Sequence, residues 1–292
     1  MLRVALGFAL LAALGACTRR PPAPVASPAY TVGTAYRSGT TWFYPREQFR
    51  YDATGLATLT TRTTGLTADG ERTDPGAMNA AHQTLQLPAV ARITNLENGR
   101  TSLVRINDRG PPDPGRLVAL SPKAASVLGV GEGTRVRVEL DEAMSRAAVD
   151  ATGTAPSLAI ATAPVQSVRA EALPPPGATS SPAPAAVLAQ PVAGTAAPAR
   201  PTVPGRLPET FTQDTANPGQ LFVRASEFGR SDYAEVERRK LPGLPVEVQR
   251  VHEPRQDRFR VRVGPFATVA QADAALRQAL GAGVADARIV VE

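Results

Sequence analysis

Gly70-Glu71, Ala80-Ala81-His82-Gln83-Thr84-Leu85, Thr94-Asn95-Leu96-Glu97-Asn98-Gly99-Arg100 and Arg105-Ile106-Asn107-Asp108-Arg109-Gly110-Pro111 follow one another between Gly70 and Pro111. Two carboxylates, Glu71 and Asp108, and one of the chain's two histidines, His82, lie in polar, turn-forming contexts between apolar strand-like runs. A general acid–base site on a small β scaffold needs that inventory. Val90 to Leu96 and Thr101 to Ile106 alternate as strands do, and Asn98-Gly99 between them predicts a type I′ hairpin turn. Leu117 to Leu120 predicts a short strand. Ser121 then N-caps a helix with Pro122 at its first position, and Gly129 ends it. A last strand runs from Thr134 to Leu140, with Val136, Val138 and Leu140 inward and Arg135, Arg137 and Glu139 outward.

The rest of the 292 residues divides around this stretch. With 28 prolines and 5% aromatic residues, long parts of the chain cannot build a core. The net charge of +6 is spread along the chain without a basic patch interleaved with aromatics. That argues against nucleic acid as a partner and suits a polyanion or saccharide. Cys17 is the only cysteine, so no disulfide can form within the chain. Before it come Arg3 and an apolar run from Val4 to Leu14, too short to span a bilayer and fitting a secretory leader over 1–16. Residues 17–50 hold a Pro/Ala-rich tether and an aromatic arm containing Trp42, Phe43 and Tyr44. Residues 143–217 read as a disordered Pro/Ala-rich linker.

From 218 to 292 the pattern is β-α-β twice over. Strands Leu221 to Phe228 and Phe259 to Phe266 are each followed by a helix (231–241 and 268–281) and a further strand (Val246 to Val251 and Arg288 to Val291). Thr268 and Gln271 form a capping-box signature. Alternation puts Phe259, Val261 and Val263 on one face and Arg258, Arg260 and Arg262 on the other. Phe222 and Arg224 share a face of the partner strand. An arginine face of this kind either solubilises the sheet or donates hydrogen bonds to a ligand.

Residues 51–142 resemble the double-psi β-barrel of the rare lipoprotein A family, the septal-ring lytic transglycosylases. The last 75 residues resemble the SPOR domain, and Leu14-Gly15-Ala16-Cys17 resembles a bacterial lipobox. The resemblance implies a mostly β plus α+β protein: a six-stranded double-psi barrel, the linker and a ferredoxin-like C-terminal domain. It implies cleavage of MurNAc–GlcNAc β-1,4 bonds in peptide-free (denuded) peptidoglycan strands, leaving 1,6-anhydro ends. On composition alone Asn107-Asp108-Arg109-Gly110-Pro111 is a turn; matched to the family's catalytic loop, Asp108 protonates the leaving oxygen. Glu71, in Thr67-Ala68-Asp69-Gly70-Glu71 where the family has Thr-Ala-Asn-Gly-Glu, stabilises positive charge on the sugar or acts as base. His82 orients substrate or tunes a carboxylate proton.

Asn107 and Arg109 are further expected substrate-side residues, with Arg109 bracing the loop. In the C-terminal domain Phe222, Arg260 and Arg262 are expected at the glycan. Cys17 is the expected lipidation site of an outer-membrane lipoprotein facing the periplasm at the septum, with division proteins as candidate partners. No cofactor or metal is implied. The family's Gly-x-Ala-Ser-Trp-Tyr-Gly is replaced here by Gly55-Leu56-Ala57-Thr58-Leu59-Thr60-Thr61. The lost Trp-Tyr pair leaves a second expectation open, a non-catalytic expansin-like or structural septal binding protein. Trp42, Phe43 and Tyr44 are the candidates to replace the lost aromatics.

Overall fold

The computed structural model describes residues 25–39, 41–154, 205–253 and 256–292. The expected leader over 1–16, Cys17 and residues 155–204 of the expected linker lie outside them. Two short strands, β1 (Tyr36–Ser38) and β2 (Thr41–Phe43), form a ribbon in the aromatic arm. The barrel follows with β3 (Asp52–Leu59), β4 (Asn79–His82), β5 (Ala89–Asn95), β6 (Arg100–Asp108), β7 (Val118–Leu120), helix α1 (Pro122–Leu128) and β8 (Arg135–Leu140). The six strands run in the order β4-β7-β3-β8-β5-β6, and β4–β6 pairing closes the ring. Two of its pairings, β3–β7 and β4–β6, are parallel and the others antiparallel.

The barrel closes because every strand offers an apolar inner row. Leu85, Leu87, Ile93, Ile106, Leu120 and Leu128 are completely buried in one cluster. Each such side chain contributes about 1.5–3 kcal/mol by leaving water. In β8 the expected alternation holds, with Val136, Val138 and Leu140 inside. Ser121 Oγ accepts the Ala124 N–H at 3.1 Å, and Gly129 takes φ 65° to end α1 as expected.

The β5–β6 hairpin sits where Asn98-Gly99 predicted it, but the turn differs. Gly99 alone has positive φ, whereas type I′ needs two such residues. Asn95 explains the difference: its carbonyl accepts the Gly99 N–H at 2.8 Å and its side chain accepts the Glu97 N–H at 2.9 Å, closing a longer loop.

The expected linker also has ordered ends. Helix α2 (Glu142–Ala151) is N-capped by Asp141 and buries Ala148 and Val149. Strand β9 (Thr212–Gln213) pairs with Arg100 and Thr101 at the start of β6, ahead of the stretch that β4 covers. The C-terminal domain comprises β10 (Leu221–Phe228), α3 (Ser231–Arg239), β11 (Val246–Val251), β12 (Arg258–Phe266), α4 (Val269–Gly281) and β13 (Arg288–Val291). Its antiparallel sheet has the order β11-β12-β10-β13, and Val223, Val261 and Val263 pack into one core with Ala234, Ala272 and Leu276. The Thr268–Gln271 capping box forms as expected. The domain meets the barrel along β3 and β13. Thr54 Oγ1 donates to the Val291 carbonyl at 2.6 Å, Leu56 enters the C-terminal core, and Arg116 holds Asp273 at 2.8 Å.

Candidate active site

The site begins with the loop between β3 and β4. Gly70 has φ 84°, and a Cβ there would collide with the Ser27 carbonyl oxygen of the arm. Ser27 and Ala29 donate to the Gly70 and Asp69 carbonyls at 3.0 and 2.8 Å, so the arm crosses directly over this loop. Within the loop, Thr67 N donates to the Glu71 carbonyl at 2.9 Å, and the Asp69 N–H reaches the Asn107 carbonyl at 3.3 Å. That last bond joins the two segments that carry Glu71 and Asp108.

Asp108 ends β6 and is 9% exposed. Its Oδ1 accepts the N–H groups of Ala68 at 2.9 Å and Arg109 at 2.8 Å. Its Oδ2 lies 3.0 Å from Arg62 Nε, whose side chain is half exposed. Asp108 and Arg62 line a small pocket together with Thr60, Thr67, Asn107 and Ala81. Thr60 stands where the family has the second aromatic of its Trp-Tyr pair, and Leu59 beside it is exposed. Trp42, Phe43 and Tyr44 do not replace them. They line a different and larger cleft.

Glu71 is close to this pocket but outside its lining. Oε1 accepts from Arg105 Nε at 2.8 Å and Nη2 at 2.5 Å, and Oε2 accepts from Asn107 Nδ2 at 2.7 Å. With both oxygens occupied, Glu71 anchors the residue before Asp108. Asn107 is thereby engaged as a brace. Arg109 turns away from Asp108 and donates to the carbonyls of Leu85 and Val32, which ties the loop to the arm.

His82 is not brought to the carboxylates. Its ring is 2% exposed and packs edge-on against Tyr51 at 5.1 Å between centroids. Nδ1 accepts the N–H groups of Thr84 and Leu85, both at 3.2 Å, which leaves Nε2–H to donate to the Tyr51 hydroxyl at 3.1 Å. Burial first, then the neighbouring Arg109 cation, pushes its pKa down to about 3, so the ring is neutral. Asn79, Ala80 and Ala81 of β4 line the Asp108 pocket, whereas His82 at the end of that strand lines the large cleft.

Asp69 is the member of the site that the sequence reading missed as a chemical group. It is 2% exposed, its Oδ1 accepts from Thr67 Oγ1 at 2.6 Å and from Glu71 N at 3.1 Å, and its Oδ2 is buried without a partner among the described residues. Desolvation, with a smaller push from Glu71, outweighs the lowering effect of the Thr67 hydrogen bond and raises its pKa to about 6. The signal was in the chain, as the aspartate standing where the family has asparagine.

On the C-terminal sheet, Arg262 lies over Phe222 at 4.6 Å and pairs with Glu247 at 2.9 Å and Glu292 at 2.7 Å. Arg260 pairs with Glu227 at 3.3 Å. The expected arginine face exists, with each of these cations already matched by a carboxylate.

Comparison with known proteins agrees with this architecture. The family described as lytic transglycolase matches residues 39–140, and the SPOR domain family matches residues 217–288. The Pseudomonas aeruginosa (strain PAO1) protein named endolytic peptidoglycan transglycosylase RlpA is 34% identical over 206 residues, 68% of this chain and 58% of its own length. The Escherichia coli (strain K12) protein of the same name is 44% identical over 105 residues, 35% of this chain and 29% of its own. Both matched regions are similar to proteins of the rare lipoprotein A family. A solved RlpA SPOR domain from Pseudomonas aeruginosa is similar over 25% of this chain and 99% of its own, at 23% identity and a TM-score of 0.24. The matched regions span less than two thirds of these curated relatives' own lengths.

Proposed function

We propose that the protein is an endolytic lytic transglycosylase that cuts the β-1,4 bond between MurNAc and GlcNAc in peptide-free peptidoglycan strands. The carrying observation is the Asp108 carboxyl. It is nearly buried, fixed on one oxygen by two backbone N–H groups, and opposed on the other only by a half-exposed arginine. A sugar entering the pocket displaces water and the Arg62 side chain, which leaves a carboxyl able to carry a proton. Asp108 gives that proton to the glycosidic oxygen, and the C1–O bond breaks. The C6 hydroxyl of the same muramyl ring, held beside C1, closes on it. Its proton returns to the Asp108 carboxylate, so one side chain serves both steps and no water is consumed. Glu71, clasped by Arg105 and Asn107, keeps the turn in register.

The family named by the comparisons supports the substrate class, and the SPOR domain supports attachment to peptidoglycan by linked binding. The Leu14-Gly15-Ala16-Cys17 tetrapeptide supports lipidation and outer-membrane anchoring, and the SPOR domain supports placement at the septum. One observation favours a second reading, adhesion without cutting: Leu59 and Thr60 leave the pocket rim without an aromatic platform. Incubating purified peptide-free strands with wild type and Asp108→Asn separates the two. Soluble fragments from wild type alone support the enzyme; none from either leaves the adhesion reading.

A further inference from the structure

We propose that the cleft between the aromatic arm, the barrel and the C-terminal sheet is a second saccharide site, one that holds a carboxylate-bearing glycan segment. It rests on the peptidoglycan substrate above and lies apart from the Asp108 pocket. The cleft encloses about 870 Å³, within the range of sites that hold organic ligands and far larger than the Asp108 pocket. Three separate parts of the chain wall it: Trp42 and Tyr44 from the arm, Tyr51 and Arg137 from the barrel, Arg224 and Arg288 from the C-terminal domain.

Two properties identify the occupant. First, Trp42 and Tyr44 are 53% and 64% exposed, so their rings are open for a sugar face to stack on. Second, the charge is unbalanced. Five arginines line the cleft (46, 50, 137, 224 and 288) against three carboxylates (Asp52, Asp286 and Glu292). Arg137 is matched by Asp52 at 2.5 Å and Arg224 by Glu292 at 3.1 Å. Arg288 has no ion-pair partner within 4 Å among the described residues. Arg288 is exposed at the cleft wall, yet desolvation by the surrounding wall, then repulsion from Arg224, lowers its pKa below the usual arginine value. A guanidinium in that position gains from an incoming anion. The expected glycan face on the same domain lacks this property, because Arg260 and Arg262 are already paired. Sugar rings with a carboxylate on alternate units fit both features. A muramic acid strand stripped of its peptides has that chemistry.

Such an occupant touches both domains at once, so it also fixes the C-terminal domain on the barrel. Gln83, whose neighbour His82 lines the cleft, donates to the carbonyls of Pro111, Asp113 and Arg116, each at 3.1 Å. The cleft wall is thereby tied to the loop that follows Asp108.

Trp42 is the only tryptophan in the chain, which gives the site its own reporter. The experiment titrates full-length Asp108→Asn protein with purified peptide-free muramyl oligosaccharides and follows tryptophan emission. A saturable emission change is expected. Binding should weaken about fivefold or more with Arg288→Ala, with Tyr44→Ala, and with oligosaccharides whose carboxylates have been amidated. Both side chains are exposed, and circular dichroism checks that each variant folds. Oligosaccharide binding that leaves Trp42 emission unchanged overturns the site, as does affinity unaltered by both variants. Loss of binding through Arg260→Ala alone does the same. Fragment release by wild type with no Trp42 response sinks the cleft and spares the catalytic assignment; a Trp42 response without release does the reverse.

Discussion

The Asp69 carboxyl accepts the backbone N–H of Glu71 at 3.1 Å while its other oxygen sits buried with no partner among the described residues. A carboxyl so placed is best neutral, and its pKa of about 6 stands above the ordinary value of 3.8. The native state therefore holds a proton that the unfolded chain releases between pH 3.8 and 6. This group's contribution to stability is complete below pH 3.8 and is lost as pH rises through 6. Asp69→Asn removes the titration. From pH 4 to pH 7.5 the wild type should lose on the order of 2 kcal/mol relative to the variant, read from urea unfolding at both pH values. Parallel stability curves for the two proteins would show that Asp69 does not titrate in this range.

His82 acts in the opposite direction. Its folded pKa of about 3 lies below the ordinary 6.5, so the unfolded chain binds a proton that the native ring refuses. Its contribution is present above pH 6.5 and is lost as pH falls toward 3. Protonation at Nδ1 would break two backbone hydrogen bonds, to Thr84 and Leu85. The imidazole nitrogen shifts in an NMR titration should report a neutral ring with its proton on Nε2 at pH 5. A ring that titrates near 6.5 in the folded protein would contradict the burial described.

Arg105 should matter to stability more than an ordinary ion pair. Its side chain and that of Glu71 are only 15% and 19% exposed. Arg105→Ala would leave Glu71 with Asn107 alone. Orphaning a fully buried charge costs about 3–5 kcal/mol, and partial hydration here reduces that to about 2 kcal/mol. Urea unfolding measures it. A loss below about 0.5 kcal/mol, the level of a surface pair, would mean Glu71 is not held as described.

Much of the barrel was legible because its signals are local. Ser121-Pro122 and Gly129 bound a helix through caps that need no distant partner, and the alternation of Val136, Val138 and Leu140 marks an inner face. The β5–β6 turn was located but misread, because Asn95 reaches around Gly99 and sets a longer loop. At the site, the motif gave the turn that carries Asp108 and the turn of Arg109 away from it. The fate of His82 depended on Tyr51, a ring 31 residues away, and the engagement of Glu71 on Arg105, 34 residues away. Long-range pairs of that kind leave no spacing to read. The large cleft was illegible for the same reason, since its walls come from the arm, the barrel and the C-terminal sheet.

In the proposed mechanism Asp108 gives up a proton and the same sugar ring then closes on itself. Mass spectrometry of fragments released from purified peptide-free strands tests it most directly. Wild type is predicted to give 1,6-anhydro-muramyl ends, and Asp108→Asn to give at least a hundredfold less product. Equal anhydro product from both proteins, or hydrated reducing ends from wild type, would rule this mechanism out.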